Sequence, residues 1–178
     1  MIRMATENDI PMIVRIYDKI LGLEAEGKTH TGWKNGIYPT RETAKDAITK
    51  NELFVFEEDG CILASARINQ EQGPEYARCQ WEYDAPESEI MVIHTLVVDP
   101  DASRQGIGSK FMSFYESFAS NCGCRYLRLD TSANNAQARA LYKKLGYTEQ
   151  GVVSCVFNGI EGAKLVCLEK KTVGAIHL

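Results

Sequence analysis

The chain has no apolar run long enough to cross a bilayer and no apolar leader after Met1, where Arg3, Glu7 and Asp9 stand instead. A membrane partner is therefore not expected, and a cytoplasmic location is. Neither sign of charge dominates. The 20 Lys and Arg residues are scattered among 24 Asp and Glu, for a net −4, so no nucleic-acid partner is expected. Repeats, low-complexity tracts and linkers are absent, which leaves one domain over residues 1–178. The six cysteines lack metal-ligand spacing. Cys122 and Cys124 form a C-x-C pair without nearby His or Cys, while Cys61, Cys155 and Cys167 lie in apolar runs where buried reduced thiols are common. No metal site and no Cys–His nucleophile is expected.

What remains is an ordinary globular composition, 44% apolar and 25% charged. After a short strand at Ile2–Met4, Thr6 or Asn8 caps a helix that tolerates Pro11 in its first turn. Ile10, Ile13, Val14, Tyr17, Ile20 and Leu21 recur on one helical face. An irregular stretch, Gly22–Pro39, precedes a helix near Arg41–Lys50. Leu53–Glu57 and Ile62–Asn69 read as strands joined at Asp59-Gly60, a strong hairpin signal. Gln70–Glu75 is a polar loop, Tyr76–Tyr83 reads equally as strand or loop, and Glu89–Val98 is a long apolar strand. A helix faced by Ile107, Phe111, Phe114, Tyr115 and Phe118 follows, then a strand at Tyr126–Asp130. Asn134, with Gln137 as capping-box partner, begins a helix striped by Ala138, Leu141, Tyr142 and Leu145 and ended by Gly146. Val152–Phe157 and Ala163–Glu169 pair across Asn158-Gly159. This order predicts a mixed sheet with helices on both faces, in the α/β to α+β range.

The most informative run is Ile93–Pro100 followed by Ser103-Arg104-Gln105-Gly106-Ile107-Gly108-Ser109. An apolar strand passes through a glycine-bearing turn into a helix start. Such a start carries unpaired N–H groups and partial positive charge, so it attracts phosphate. Gly106 and Gly108 let an anion approach the main chain. The turn lacks the Gly-Lys-Ser/Thr of nucleotide triphosphatases, and its place after several strands disfavours a dinucleotide fingerprint.

One strand later stands Asn135-Ala136-Gln137-Ala138-Arg139-Ala140-Leu141-Tyr142-Lys143-Lys144-Leu145-Gly146-Tyr147. Together the two segments resemble the core of the GNAT superfamily of acyl-CoA N-acyltransferases. Its patterns are Arg/Gln-x-x-Gly-x-Gly/Ala and Asn-x-x-Ala-x-x-Leu-Tyr-x-x-x-Gly-Phe/Tyr. The likeness is tightest over residues 92–151. The family's first Arg/Gln falls on Ser103 here, with Arg104 next.

The resemblance implies a single-domain fold with a mostly antiparallel central sheet and acetyl-CoA as cofactor. It also implies acetyl transfer to a primary amine, the amine attacking directly in a ternary complex. A small-molecule amine is the preferred acceptor; a peptide amine, and a non-catalytic acyl-CoA sensor, are the alternatives. A homodimer is left open. Amides from Arg104, Gln105, Gly106, Ile107, Gly108 and Ser109 would cradle the diphosphate. Leu96, Val97 and Val98 would lie along the pantetheine arm, the Leu96 N–H facing the thioester carbonyl. Tyr142 is the candidate acid for the departing thiolate, or else a packed tyrosine. Asn135 contacts the cofactor or caps its helix. The base is His94, with an imidazole pKa near about 6.5, or Glu89 earlier on the strand; Glu82 and Asp84 are further options. Simple alternation puts His94 on the face of Leu96 unless a bulge intervenes. Trp33, Tyr38, Trp81 and Tyr83 are candidate walls of the acceptor pocket.

Overall fold

The computed structural model describes residues 1–172. Seven strands form one sheet in the order β1-β2-β3-β4-β5-β7-β6: β1 (Ile2–Met4), β2 (Leu53–Glu58), β3 (Cys61–Asn69), β4 (Ile90–Val98), β5 (Tyr126–Ser132), β6 (Thr148–Phe157) and β7 (Ile160–Lys171). Only β4 and β5 run parallel. The expected mixed sheet, mostly antiparallel and covered on both faces, is the observed one.

The helices are α1 (Ile10–Ala25), α2 (Arg41–Thr49), α3 (Ile107–Asn121) and α4 (Ala136–Lys144). The apolar stripe of α1 places Ile13, Ile16, Tyr17 and Ile20 against Val55 and Val97, with Ala44 and Ala47 of α2 closing the same layer. Phe111, Met112 and Tyr115 of α3, with Tyr142 of α4, bury Met91, Ile93, Leu127 and Leu129 on the opposite face. Both tight hairpins turn on a positive-φ pair, Asp59-Gly60 and Asn158-Gly159, as type I′ loops require. Asn135, not Asn134, caps α4: its side chain accepts the Ala138 N–H at 3.1 Å. The chain enters that helix one residue later than the capping-box spacing suggested. Cys61 is exposed and Cys155 half-buried; of the three cysteines in apolar runs only Cys167 is buried.

Two features of β4 decide where a site can form. First, β4 pairs with β5 only at Ile90↔Tyr126, Met91↔Leu127 and Val92↔Arg128, although β4 continues to Val98 and β5 to Ser132. Beyond that point the strands fork. The buried Tyr115 hydroxyl reaches the crotch of the fork, 2.6 Å from the Met91 carbonyl oxygen and 3.2 Å from that of Arg128. Second, Arg67 opposes His94 but Ser65 opposes Val97, so Thr95 and Leu96 share one partner residue. This bulge holds Thr95 at φ 52, a strained value for a β-branched residue.

The face of β5 and β7 that carries Asp130 is tied by a buried ion pair. Arg128 Nε donates to Glu169 at 2.9 Å, with both side chains almost fully enclosed. The guanidinium also reaches Gln72 Oε1 (2.6 Å) and the Tyr83 carbonyl (3.0 Å), and lies 4.1 Å from the Trp81 ring. Glu169 accepts the Glu82 and Tyr83 N–H groups. Segment 72–83 is thereby clamped onto β5 and β7. Removing one partner strands a buried charge. Arg128→Met should cost about 3–5 kcal/mol in urea unfolding, and adding Glu169→Leu should restore much of that loss. Equal losses in the single and double variants would contradict the pairing.

Candidate active site

The turn before α3 is built for exposure. Asp99 accepts the Asp101 N–H at 3.0 Å and receives Lys19 at 2.7 Å, which fixes the start of the turn. Arg104 (φ 66) and Gly106 (φ 74) then reverse the chain, and residues 103–106 stay solvent-exposed. No side chain caps α3. The first-turn amides of Ile107, Gly108 and Ser109 therefore face outward without an internal acceptor. Gly108 lies where α3, α4 and the end of β4 converge: a Cβ there would make ordinary contacts with Leu141 Cδ2 at 3.5 Å and Val98 Cγ2 at 3.9 Å, but a longer side chain would fill the gap.

Behind this turn runs the fork. Leu96 and Val98 pack on the α3/α4 side, whereas Val97 points into the α1/α2 layer. A small cavity of about 60 Å³ lies in the fork between Thr95 and Leu96 on one strand and Asp130, Thr131 and Ser132 on the other. Tyr142 borders it. Its side chain is buried, yet its hydroxyl has no hydrogen-bond partner among the described residues. Burial, with the nearby negative charge of Asp130, pushes this phenol well above its ordinary pKa, so it stays protonated and available as a donor. Outward amides, separated strand edges and a hydroxyl that reaches the cavity without a protein partner among the described residues suit an anionic cofactor with an extended amide arm. Coenzyme A fits that description. Residues 104–109 would hold its diphosphate and Leu96–Val98 its arm.

On the other face lies a cleft of about 820 Å³ between α2, segment 71–75, β4 and the β6–β7 hairpin. It contains His94, Thr95 and Asp130. The two cavities meet at Tyr38, Thr95, Asp130 and Phe157, which line both. Tyr38 is held there by a hydroxyl–hydroxyl hydrogen bond with Thr95. Asp130 accepts the buried Tyr76 hydroxyl at 2.8 Å. Burial raises its pKa to about 6 and the charge of Glu75 adds to the rise, while the Tyr76 hydrogen bond opposes it.

Asp130 was not among the sequence candidates. Its signal was present, because the alternation of Tyr126, Arg128 and Asp130 sets an acid on the polar face of β5. That acid stands two residues past the last β4–β5 pair.

Several expectations need correction. Glu89 precedes β4, in a single 3-10 turn, and is bound at both oxygens by Arg125 at 2.9 Å. It lies at the closed end of the β4–β5 pair, remote from the fork. The bulge places His94 and Leu96 on opposite sheet faces, because an extra residue inverts the alternation. His94 does line the large cleft, with Nε2 2.8 Å from Asn69 Oδ1. Its pKa falls to about 4 through burial and the adjacent Arg67 charge, so it is neutral at physiological pH and a weak base.

Trp33 and Tyr38 border the small cavity in the fork. Trp81 and Tyr83 do not. Trp81 donates its indole N–H to the Tyr76 carbonyl beneath Arg128, and Tyr83 packs at a tilt against Tyr126. Glu82 and Asp84 are exposed beside them, outside the cleft. Asn135 is seen in its capping role.

The same fold occurs in a GNAT-family acetyltransferase of Streptococcus agalactiae (TM-score 0.81, 20% identity, 97% of this chain and 95% of that one). It occurs also in yncA of Salmonella typhimurium, solved with its cofactor acetyl-CoA (TM-score 0.68, 18% identity, 96% and 92%). At these identities the likeness is one of fold. An uncharacterised N-acetyltransferase of Methanocaldococcus jannaschii is 26% identical over 152 residues, 85% of this chain and 62% of that protein. One from Bacillus subtilis is 35% identical over 60 residues, 34% and 40% respectively. The chain thus spans less than two thirds of the length of either relative. Residues 20–147 match the model of the acetyltransferase (GNAT) family, and with more than half of its length matched, the chain belongs to that family.

Proposed function

We propose that this chain is an acetyl-CoA-dependent N-acetyltransferase that acts on a primary amine of a small molecule, with no acyl-enzyme. One observation carries this reading: the large cleft and the small cavity in the fork meet at Tyr38, Thr95, Asp130 and Phe157, where the strands have parted. A donor laid in the fork and an amine held in the cleft would converge there, and proximity alone supplies much of the acceleration. Support for the donor comes from the family match and from the neighbour solved with acetyl-CoA.

Bound acetyl-CoA would supply the acetyl group as a thioester. The chain's own groups do the rest. Amides of residues 104–109 grip the diphosphate, and the Leu96 N–H favours charge developing on the carbonyl oxygen. Asp130, rather than Glu89 or His94, takes the proton from the incoming ammonium. At a pKa of about 6 it is mostly ionised at neutral pH and still basic enough to serve. Tyr142, kept protonated by burial, donates to the departing sulfur.

The rate should fall on the acid side as Asp130 is protonated. The groups around it are Tyr76, Glu75, Tyr38 and Tyr142; the Tyr76, Tyr38 and Tyr142 phenols remain neutral through this range. The acidic limb of kcat/KM should therefore sit near pH 6. Asp130→Asn should erase it and lower kcat/KM by about 10²–10⁴-fold, whereas His94→Gln should keep it. Loss of the limb in His94→Gln alone would return the role to the imidazole.

Tyr142→Phe should lower turnover by about tenfold to a thousandfold with little change in acetyl-CoA affinity. Equal turnover would remove Tyr142 from the chemistry.

Gly108→Glu should abolish coenzyme A binding in calorimetry, because its side chain enters the gap beside Leu141 and Val98 with a negative charge. Gly108→Ala should be tolerated, since its Cβ meets only ordinary contacts. Unchanged affinity in Gly108→Glu would place the cofactor elsewhere.

A further inference from the structure

The acceptor cleft is unevenly charged. Five carboxylates line it: Glu42 and Asp46 from α2, Glu71 and Glu75 from the facing segment, and Asp130 from β5. Its two cations, Lys50 and Arg67, are already engaged. Lys50 pairs with Glu71 at 3.4 Å, and Arg67 binds Glu71 at 2.6 Å and Glu52 at 2.7 Å. Glu42, Asp46, Glu75 and Asp130 have no ion-pair partner among the described residues. Glu42 and Asp46 are four residues apart on one helix, a like-charge spacing that costs α2 a little stability.

Glu75 is the more telling residue. It is only 7% exposed, it borders the cleft, and its carboxylate makes no hydrogen bond or ion pair with any described residue. The carboxylate folds back over Gly73, where a Cβ would come within 2.0 Å of Oε1. Gly73 thus leaves it the space it occupies. Its oxygens keep access to the cavity and meet no described cation or donor, whereas a mostly enclosed carboxylate is ordinarily matched by one or the other. This one faces the cavity in which a substrate amine would lie, close enough to Asp130 to affect its charge. Asp130 already has the fork, where the reacting nitrogen belongs. Glu75 is left for a second cationic nitrogen.

We propose that the acceptor is an aliphatic diamine or polyamine, with Glu75 holding the non-reacting ammonium while the other amine faces Asp130 and the fork. This rests on the reading of the chain as an amine acetyltransferase. Glu42 and Asp46, on the rim, add to the negative potential that draws a polycation in. A substrate bearing a carboxylate in place of the second ammonium would meet like charge on both walls.

The test is thiol release from acetyl-CoA with three acceptors of similar length: 1,5-diaminopentane, 1-aminopentane and 6-aminohexanoate. The diamine should exceed the monoamine in kcat/KM by about tenfold or more, as expected for a desolvated charge pair, and 6-aminohexanoate should be poorest. Glu75→Gln should bring the diamine-to-monoamine ratio toward one, and Glu75→Asp should restore part of it. Coenzyme A affinity and melting temperature serve as checks that both variants are folded.

Equal kcat/KM for diamine and monoamine in the unaltered protein overturns the proposal while leaving acetyl transfer intact. So does turnover of peptide amines alone, or a ratio unchanged in folded Glu75→Gln. Tight acetyl-CoA binding with no turnover of any amine would overturn the transferase reading itself, and this proposal with it.

Discussion

Parallel strands that part after three paired residues expose main-chain groups which must find other partners or face a ligand. In this chain β4 and β5 part after Val92 and Arg128, and most of what is distinctive in the molecule follows from that divergence. Tyr115, from the buried face of α3, sets its hydroxyl between the Met91 and Arg128 carbonyls, so the fork opens without orphaned acceptors at its base. The bulge at Thr95 and Leu96 turns the free part of β4 and reverses which side chains face which layer. Leu96 goes toward α3 and α4, and His94 stays toward the acceptor cleft.

The sheet thereby separates two chemical environments. One face offers uncapped helix amides, two glycines and the exposed Arg104, all suited to phosphate. The other offers carboxylates in excess and a buried tyrosine–aspartate hydrogen bond. In the proposed reaction an anionic donor and a cationic acceptor approach from opposite sides and are kept apart except where Thr95, Asp130, Tyr38 and Phe157 border both cavities. Burial acts on the titratable groups there in different directions. It raises Asp130 to about 6, holds Tyr142 neutral and lowers His94 to about 4. Of these three, the carboxylate is the one poised near neutral pH.

Local sequence logic went far for the elements. The apolar stripe of α3, the glycine turn before it and the Asp-Gly and Asn-Gly hairpins are each encoded within a few residues. Tyr142 was legible for the same reason, as part of a compact helical motif. Asp130, the proposed base, was not. Its exposure to both cavities depends on where β4 stops pairing with β5, a long-range feature that neither strand's own residues announce. A β-branched threonine at positive φ runs against its own preference, so nothing in the run Ile93–Val98 announces the bulge. Glu89 stands just before β4, at the end where the two strands are paired rather than parted, and Arg125 holds both its oxygens. The family resemblance suggests Trp81 and Tyr83 as pocket walls, yet Arg128 and Glu169, distant in sequence, pin them over β5 and β7 at the paired end of the strands. Glu75 lay in a polar loop, where an acid ordinarily signals solvent; its burial arises from tertiary packing around Tyr76.

A crystal structure with coenzyme A bound tests the account most directly. The account requires the diphosphate against the amides of residues 104–109, with the arm running between β4 and β5 and the thiol end beside Leu96 and Tyr142. A cofactor bound elsewhere, with that turn left to solvent and the fork vacant, would contradict it.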